Sequence, residues 1–196
     1  MKLAFASAAG VAALCGSASA QVTLNGAFAV DNGFTAYIST SPTLQGTAWL
    51  SGNNWQSTIT GNTVINAAGT YYLHVIAFDQ GGPRMFLGEF SLQNAGGFTG
   101  TFSANGGTSL LTNTTDWVVS DTGLGQNTFA PVDQGGNTVN AAIWGQRPNI
   151  DASSRFIWGN LDITTTYFST TIRVIPAPSA LGMIALGGLV ASRRRR

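Results

Sequence analysis

The stretch "GTYYLHVIAFDQGGPRMFLGEFSL", Gly69–Leu92, decides the fold. Its first ten residues are mostly apolar and aromatic, and such a run reads as a central strand covered on both faces. Asp79-Gln80-Gly81-Gly82-Pro83 is turn chemistry, because Gly and Pro supply backbone angles that strands avoid. The run after it, "RMFLGEFSL", is β-prone again. The two runs together predict an antiparallel pair.

Outward from this pair the text stays β. "VTLNGAFAV" and "GFTAYIST" lie on either side of a turn at Asp31-Asn32-Gly33. In the second, Phe34, Ala36 and Ile38 alternate with Thr35, Tyr37 and Ser39, the period of a half-buried strand. "GGFTGTFSA", "TDWVVS", "NAAIWG", "SRFIWGN" and "TTYFSTTIRVI" continue the pattern. Leu124–Val139 is rich in Gly, Gln and Asn and predicts a long loop. About ten short strands over roughly 150 residues, with no helical period, predict an all-β antiparallel sandwich or jelly roll. No internal repeat and no linker divides this body.

Composition narrows the function. The chain has 196 residues, enough for one domain with accessory segments. Only 9% are charged, yet 10% are aromatic, so a core can form. Lys2 and Arg193–Arg196 sit at the two ends. The body between them carries four arginines against eight acids. An acidic body argues against nucleic acid, whose phosphates need a basic surface. Cys15 is the only cysteine. A chain that loses its first segment keeps no thiol and no disulfide.

Both ends read as addresses. "MKLAFASAAGVAALCGSASA" has one positive charge, an apolar stretch and small residues at its end. Ala18-Ser19-Ala20 is an A-x-A site, which predicts signal-peptidase cleavage before Gln21. Leu14 before Cys15 argues against a lipoprotein signal, which needs a small residue there. At the other end, Pro176 and Pro178 precede fourteen uncharged residues, Ser179–Ser192. As a helix these reach about 21 Å, short of a hydrocarbon core of roughly 30 Å. They predict a short, marginal transmembrane helix. Arg193, Arg194, Arg195 and Arg196 then act as a topology lock, holding the C-terminus in the cytoplasm and the body outside.

A proline motif, a short apolar helix and an arginine cluster, in that order at the end of the chain, resemble the PEP-CTERM sorting signal of Gram-negative bacteria. Pro176-Ala177-Pro178 stands where the family usually has Pro-Glu-Pro. The resemblance implies cleavage at this motif by an exosortase, a transient inner-membrane intermediate and a final place at the cell surface or in the extracellular matrix. The resemblance also brings the label "ice-binding protein C-terminal", which describes such a tail and implies no ice activity. An ice face, however, needs regular T-x-T ranks, and "DITTTYFSTTIRV" is a single Thr-rich strand. The expected organisation is a signal peptide over 1–20, a β-sandwich over 21–173 and a sorting signal over 174–196.

The body resembles galactose-binding-like jelly rolls. The likeness rests on "VDNGFTAYIS", "LSGNNW", "INAAGTYYLHVIAFDQGGPRMFLGEFSL" and the ending "SRFIWGN…TTYFSTTIRV". Phe156 replaces a Trp of the family's usual ending, and Ser169 replaces an Arg. The resemblance implies a fold more than an activity.

Catalytic chemistry is hard to find. His74, the only histidine, shares a strand face with Tyr72, Ile76 and Phe78 and reads as a satisfied strand histidine. A glycosidase needs two positioned carboxyl groups, and the eight acids are scattered, mostly in turns. No G-x-S-x-G, P-loop or EF-hand pattern occurs. The chain is therefore not expected to be an enzyme. Asp31 and Asp79 are the candidate calcium ligands, as loop carboxylates near Asn and backbone carbonyls. Trp49 and Trp55 flank an Asn- and Ser-rich turn and are the candidate carbohydrate platforms, while Trp144 and Trp158 read as core. The expected function is a structural or adhesive matrix component linked to exopolysaccharide. The alternatives are a dedicated carbohydrate-binding module and, behind it, a glycoside hydrolase.

Overall fold

The computed structural model describes residues 21–141, 143–160 and 162–177. Ala18, Ala20, Pro178, the expected helix over 179–192 and Arg193–Arg196 lie outside the described residues, while Gln21, Pro176 and Ala177 lie within them.

Twelve strands follow one another: β1 (Gln21–Asp31), β2 (Gly33–Ser39), β3 (Thr47–Gly52), β4 (Ile59–Ile65), β5 (Gly69–Phe78), β6 (Met85–Ala95), β7 (Phe98–Phe102), β8 (Ser109–Leu111), β9 (Val118–Ser120), β10 (Val132–Gly136), β11 (Arg155–Trp158) and β12 (Thr165–Pro176). They form two antiparallel sheets, and the described residues contain no helix. Sheet A runs β10-β11-β6-β1-β4, with β8 also on β6; sheet B runs β3-β2-β5-β12-β7, with β9 also on β12. The expected all-β, two-sheet architecture is present.

Alternation builds the core. Val22, Leu24, Phe28 and Val30 of β1 point inward, as do Phe86, Phe90 and Leu92 of β6. Leu73, Val75 and Ala77 of β5 and Phe168, Ile172 and Val174 of β12 meet them from sheet B. Trp117 and Trp158 are fully enclosed between the sheets. A bulge sets Trp49 between Leu50, opposite Ala36, and Ala48, opposite Tyr37. Both Trp49 and Leu50 consequently pack against the core. Gly26 makes room for this: a Cβ there would lie 2.6 Å from the Phe28 ring and 3.0 Å from the Trp49 ring.

A second apolar cluster covers part of the outer face of sheet A. Ala27, Ala29, Met85, Leu87 and Phe156 form its floor, and Trp144 and Ile150 its cover. This explains "NAAIWG", which was expected to be a strand. Its described residues form turns and no strand, with Gly145 N–H donating to Ala141 O at 2.8 Å. It is apolar because Trp144 caps a core, not because it joins a ladder.

The expected β5–β6 pair does not form. β5 pairs with β2 and β12 in sheet B, and β6 with β1, β8 and β11 in sheet A. Residues 79–84 cross between the layers. The physical reason is that each strand is apolar enough to be central in its own sheet. A wide turn spans the ~10 Å between sheets as readily as the ~4.8 Å between paired strands. β5 is central, as expected, but its outer face is only partly covered: His74 is buried, Tyr72 and Ile76 are half-buried, and Phe78 is exposed. The expected loop over Leu124–Val139 contains β10 and a bridge between Phe129 and Val119. β12 continues to Pro176, three residues beyond the expected boundary at Arg173, with Pro176 opposite Phe98.

Candidate functional site

The outer face of sheet B carries a pocket of about 480 Å³, within the usual range for small-ligand sites. Its floor is Tyr72 of β5 with Ser169 and Thr171 of β12. Its walls are Pro42, Asp116 and Thr128, from three separate loops. Gly125 lets two of these loops meet. Its φ is +68°, in the left-handed region, and a Cβ would lie 2.8 Å from Pro42 O.

His74 organises the pocket from beneath. It is fully buried. Its Nε2 lies 3.1 Å from Ser41 O, and since a carbonyl only accepts, Nε2 carries the proton. Nδ1 of the neutral ring then accepts from the Ser169 hydroxyl at 2.7 Å. The ring also stacks on Tyr72, with centroids 5.8 Å apart and planes 7° apart. One side chain therefore fixes the Pro42 loop, the Ser169 hydroxyl and the Tyr72 ring. The expectation of a satisfied strand histidine matches this geometry.

Burial pushes the His74 pKa below its ordinary 6.5, opposed in part by the Ser41 carbonyl. The unfolded chain thus takes up a proton that the folded one resists. Stability is complete above about pH 6.5 and falls as the pH drops through that value toward the folded pKa. Unfolding midpoints measured between pH 8 and pH 5 should show this loss, and His74→Asn should flatten it.

Asp116 is the pocket's carboxylate. Asn113 holds it by donating from Nδ2 to Asp116 Oδ2 at 2.8 Å, while Asn113 Oδ1 accepts the Asp116 N–H at 2.7 Å. No lining residue is cationic. A carboxylate, several hydroxyls and one aromatic ring disfavour an anion and suit a neutral polyhydroxylated ligand.

The predicted carbohydrate residues lie elsewhere and apart. Trp49 is half-buried, with its ring edge-on to Phe28 at 5.6 Å. Its Nε1 is buried and meets no acceptor among the described residues. Its accessible part borders a shallow depression with Thr35 and Ser51. Trp55 is half-buried against the second cluster, and its carbonyl accepts from Arg147 at 3.1 Å. Trp144 and Trp158 are buried, as expected.

Asp31 and Asp79 are brought to one place, where the chain crosses twice between the sheets. Asn32 N–H donates to Phe78 O at 2.8 Å, and Gln80 N–H to Asn32 Oδ1 at 2.6 Å. Asp31 Oδ2 accepts from Trp144 Nε1 at 3.1 Å. Asp79 Oδ2 accepts from Arg84 Nε at 2.8 Å and from Gly81 N–H at 2.9 Å. Asp79 Oδ1 is buried and meets no donor among the described residues. Calcium takes six to eight oxygens, and no group of three His, Cys, Asp or Glu that could hold a metal occurs among the described residues.

Burial pushes the Asp31 pKa up, and Asp79 adds to this against the Trp144 hydrogen bond. A raised carboxyl pKa means that the ionised form weakens the fold as the pH rises above the unfolded value. Asp31→Asn keeps an acceptor for Trp144 and removes the charge. In EDTA at pH 7 it should raise the unfolding temperature. If Asp31 instead serves calcium, added calcium will stabilise the native chain and not the variant.

Sequence reading missed Tyr72, Ser169 and Asp116 as one site, because they lie on different strands and loops. The only available signal was the polar residue His74 inside an apolar strand. No protein-family model matches the chain, and no curated protein or solved structure matches it. The fold and the site define it as an all-β, two-sheet protein with a surface pocket lined by hydroxyls, one carboxylate and one aromatic ring.

Proposed function

We propose that this chain is an exported β-sandwich, of the galactose-binding-like jelly-roll type, that serves a structural or adhesive role at the cell surface or in the extracellular matrix by contacting exopolysaccharide. The observation that carries the contact is the pocket over Tyr72, Ser169 and Asp116, whose lining suits sugar hydroxyls and one apolar sugar face. Signal peptidase would release the body at Gln21. An exosortase would read Pro176-Ala177-Pro178 and discard the arginines. The motif overlaps the end of the sheet: Pro176 closes β12 opposite Phe98, and Ala177 N–H pairs with Gly97 O at 2.7 Å.

Two measurements test the reading. The mass of the mature protein from its own cells should lack the segment beyond the proline motif, and an intact arginine end on surface-located protein would sink the sorting claim. In native gels containing a neutral polysaccharide, migration should be retarded, and Tyr72→Ala should weaken the retardation about tenfold or more, the loss of one aromatic stacking contact and its positioning. A dedicated carbohydrate-binding module is the second reading, favoured by the same pocket. It would differ in taking a defined oligosaccharide rather than only the polymer.

A further inference from the structure

The opposite outer face holds a second concave surface. A groove of about 470 Å³ crosses β4, β1 and β6 of sheet A. Its floor is a rank of polar side chains in lateral register: Asn62 of β4 opposite Asn25 of β1, and Asn25 opposite Ser91 of β6. The next rank is Thr60, Ala27 and Glu89. On a face whose neighbouring half is apolar and covered, this patch is left bare and polar.

The groove is also built. Asn137, fully buried after β10, clamps one of its walls. Its amide donates to Ile150 O at 2.8 Å, and its Oδ1 accepts Arg147 N–H at 2.7 Å. This holds Asn149 at the rim in a left-handed conformation, φ 61°. Glu89 Oε2 accepts Asp151 N–H at 2.7 Å, which fixes the carboxylate. Asn25 Nδ2, on the floor, is buried and meets no acceptor among the described residues. A buried amide without a partner is unfavourable, and a ligand acceptor recovers the lost hydrogen bond. No lining residue is cationic, so the chemistry again suits a neutral polyhydroxylated chain.

We infer that this groove is a second glycan-binding site and that the protein is bivalent, crosslinking polysaccharide chains. This rests on the glycan reading of the sheet B pocket. The two sites lie on the outward faces of two packed sheets and look in opposite directions. One stretch of polymer cannot fill both, so double occupancy joins two stretches. Bivalence of this kind multiplies avidity without any new contact, and it gives a matrix protein a mechanical role.

The test uses soluble β-glucan, galactan and dextran as probes, first in native affinity gels and then by turbidity on mixing with any polymer that retards the protein. Asn62→Arg fills the groove from an exposed edge-strand position that leaves the core untouched, and Asn25→Ala removes the unpartnered amide. Each variant should still be retarded through Tyr72, with apparent affinity for polymer down about tenfold or more, and should no longer raise turbidity. Tyr72→Ala should likewise bind without crosslinking, and Tyr72→Ala with Asn62→Arg should migrate freely. Full crosslinking by Asn62→Arg overturns the second site and leaves the pocket standing. Free migration of the native protein in all three polymers overturns the glycan reading itself.

Discussion

Phe28→Ala should destabilise the protein by about 4 kcal/mol, the usual range for emptying a large aromatic site in a core. For a domain of this size that lowers the unfolding temperature by roughly 8–16 °C. Phe28 is fully buried and touches four other rings. Phe34 lies 4.7 Å away and stacks on it, Phe90 meets it edge-on at 4.9 Å, Trp49 at 5.6 Å, and Phe86 lies at 6.2 Å. These rings come from β2, β3 and β6, so the site joins both sheets and the bulged edge strand. Thermal and urea unfolding would measure the loss. A change of less than about 1 kcal/mol would mean that the neighbouring rings close over the cavity, against the usual behaviour of cores.

Asn137→Ala should cost about 3 kcal/mol, because it strands several buried backbone groups at once. Asn137 donates to carbonyls of Ile150, Arg147 and Asp151 and accepts one N–H, all from the loop that covers the outer face of sheet A. Trp144 and Ile150 of that loop cover the second apolar cluster. Loosening it should shift tryptophan emission to the red as Trp144 meets water. Asn137→Asp should be worse than alanine, since it brings a charge beside three carbonyl oxygens. A variant with native emission and native unfolding temperature would show that the cluster holds the loop without the amide.

The strand runs β1, β2, β5, β6, β7, β9, β11 and β12 were legible because alternation and β-prone composition are local properties. β3, β4, β8 and β10 lack that local signal. "ITGNTVI" carries Gly and Asn, "VDQGG" is turn-like in composition, and both take strand form only because a partner supplies the ladder. "NAAIWG" misled in the other direction, since an apolar run reports burial and not conformation. Trp49 and Trp55 stood out by type, yet type cannot reveal that a bulge turns one ring toward Phe28 and that the other packs under a distant loop.

Sequence alone determined that the body is all-β, that it is acidic and lacks cysteine after Gln21, and which end segments differ from it. These follow from composition and short-range period, which need no partner. Tertiary structure alone decided which strands share a sheet, that 79–84 joins two layers instead of closing a hairpin, and that His74 binds a loop, a hydroxyl and a ring into one pocket. The reason is that sheet pairing and site assembly join residues far apart in the chain. His74 and Ser169 are ninety-five positions apart, and local pattern carries no record of such a contact.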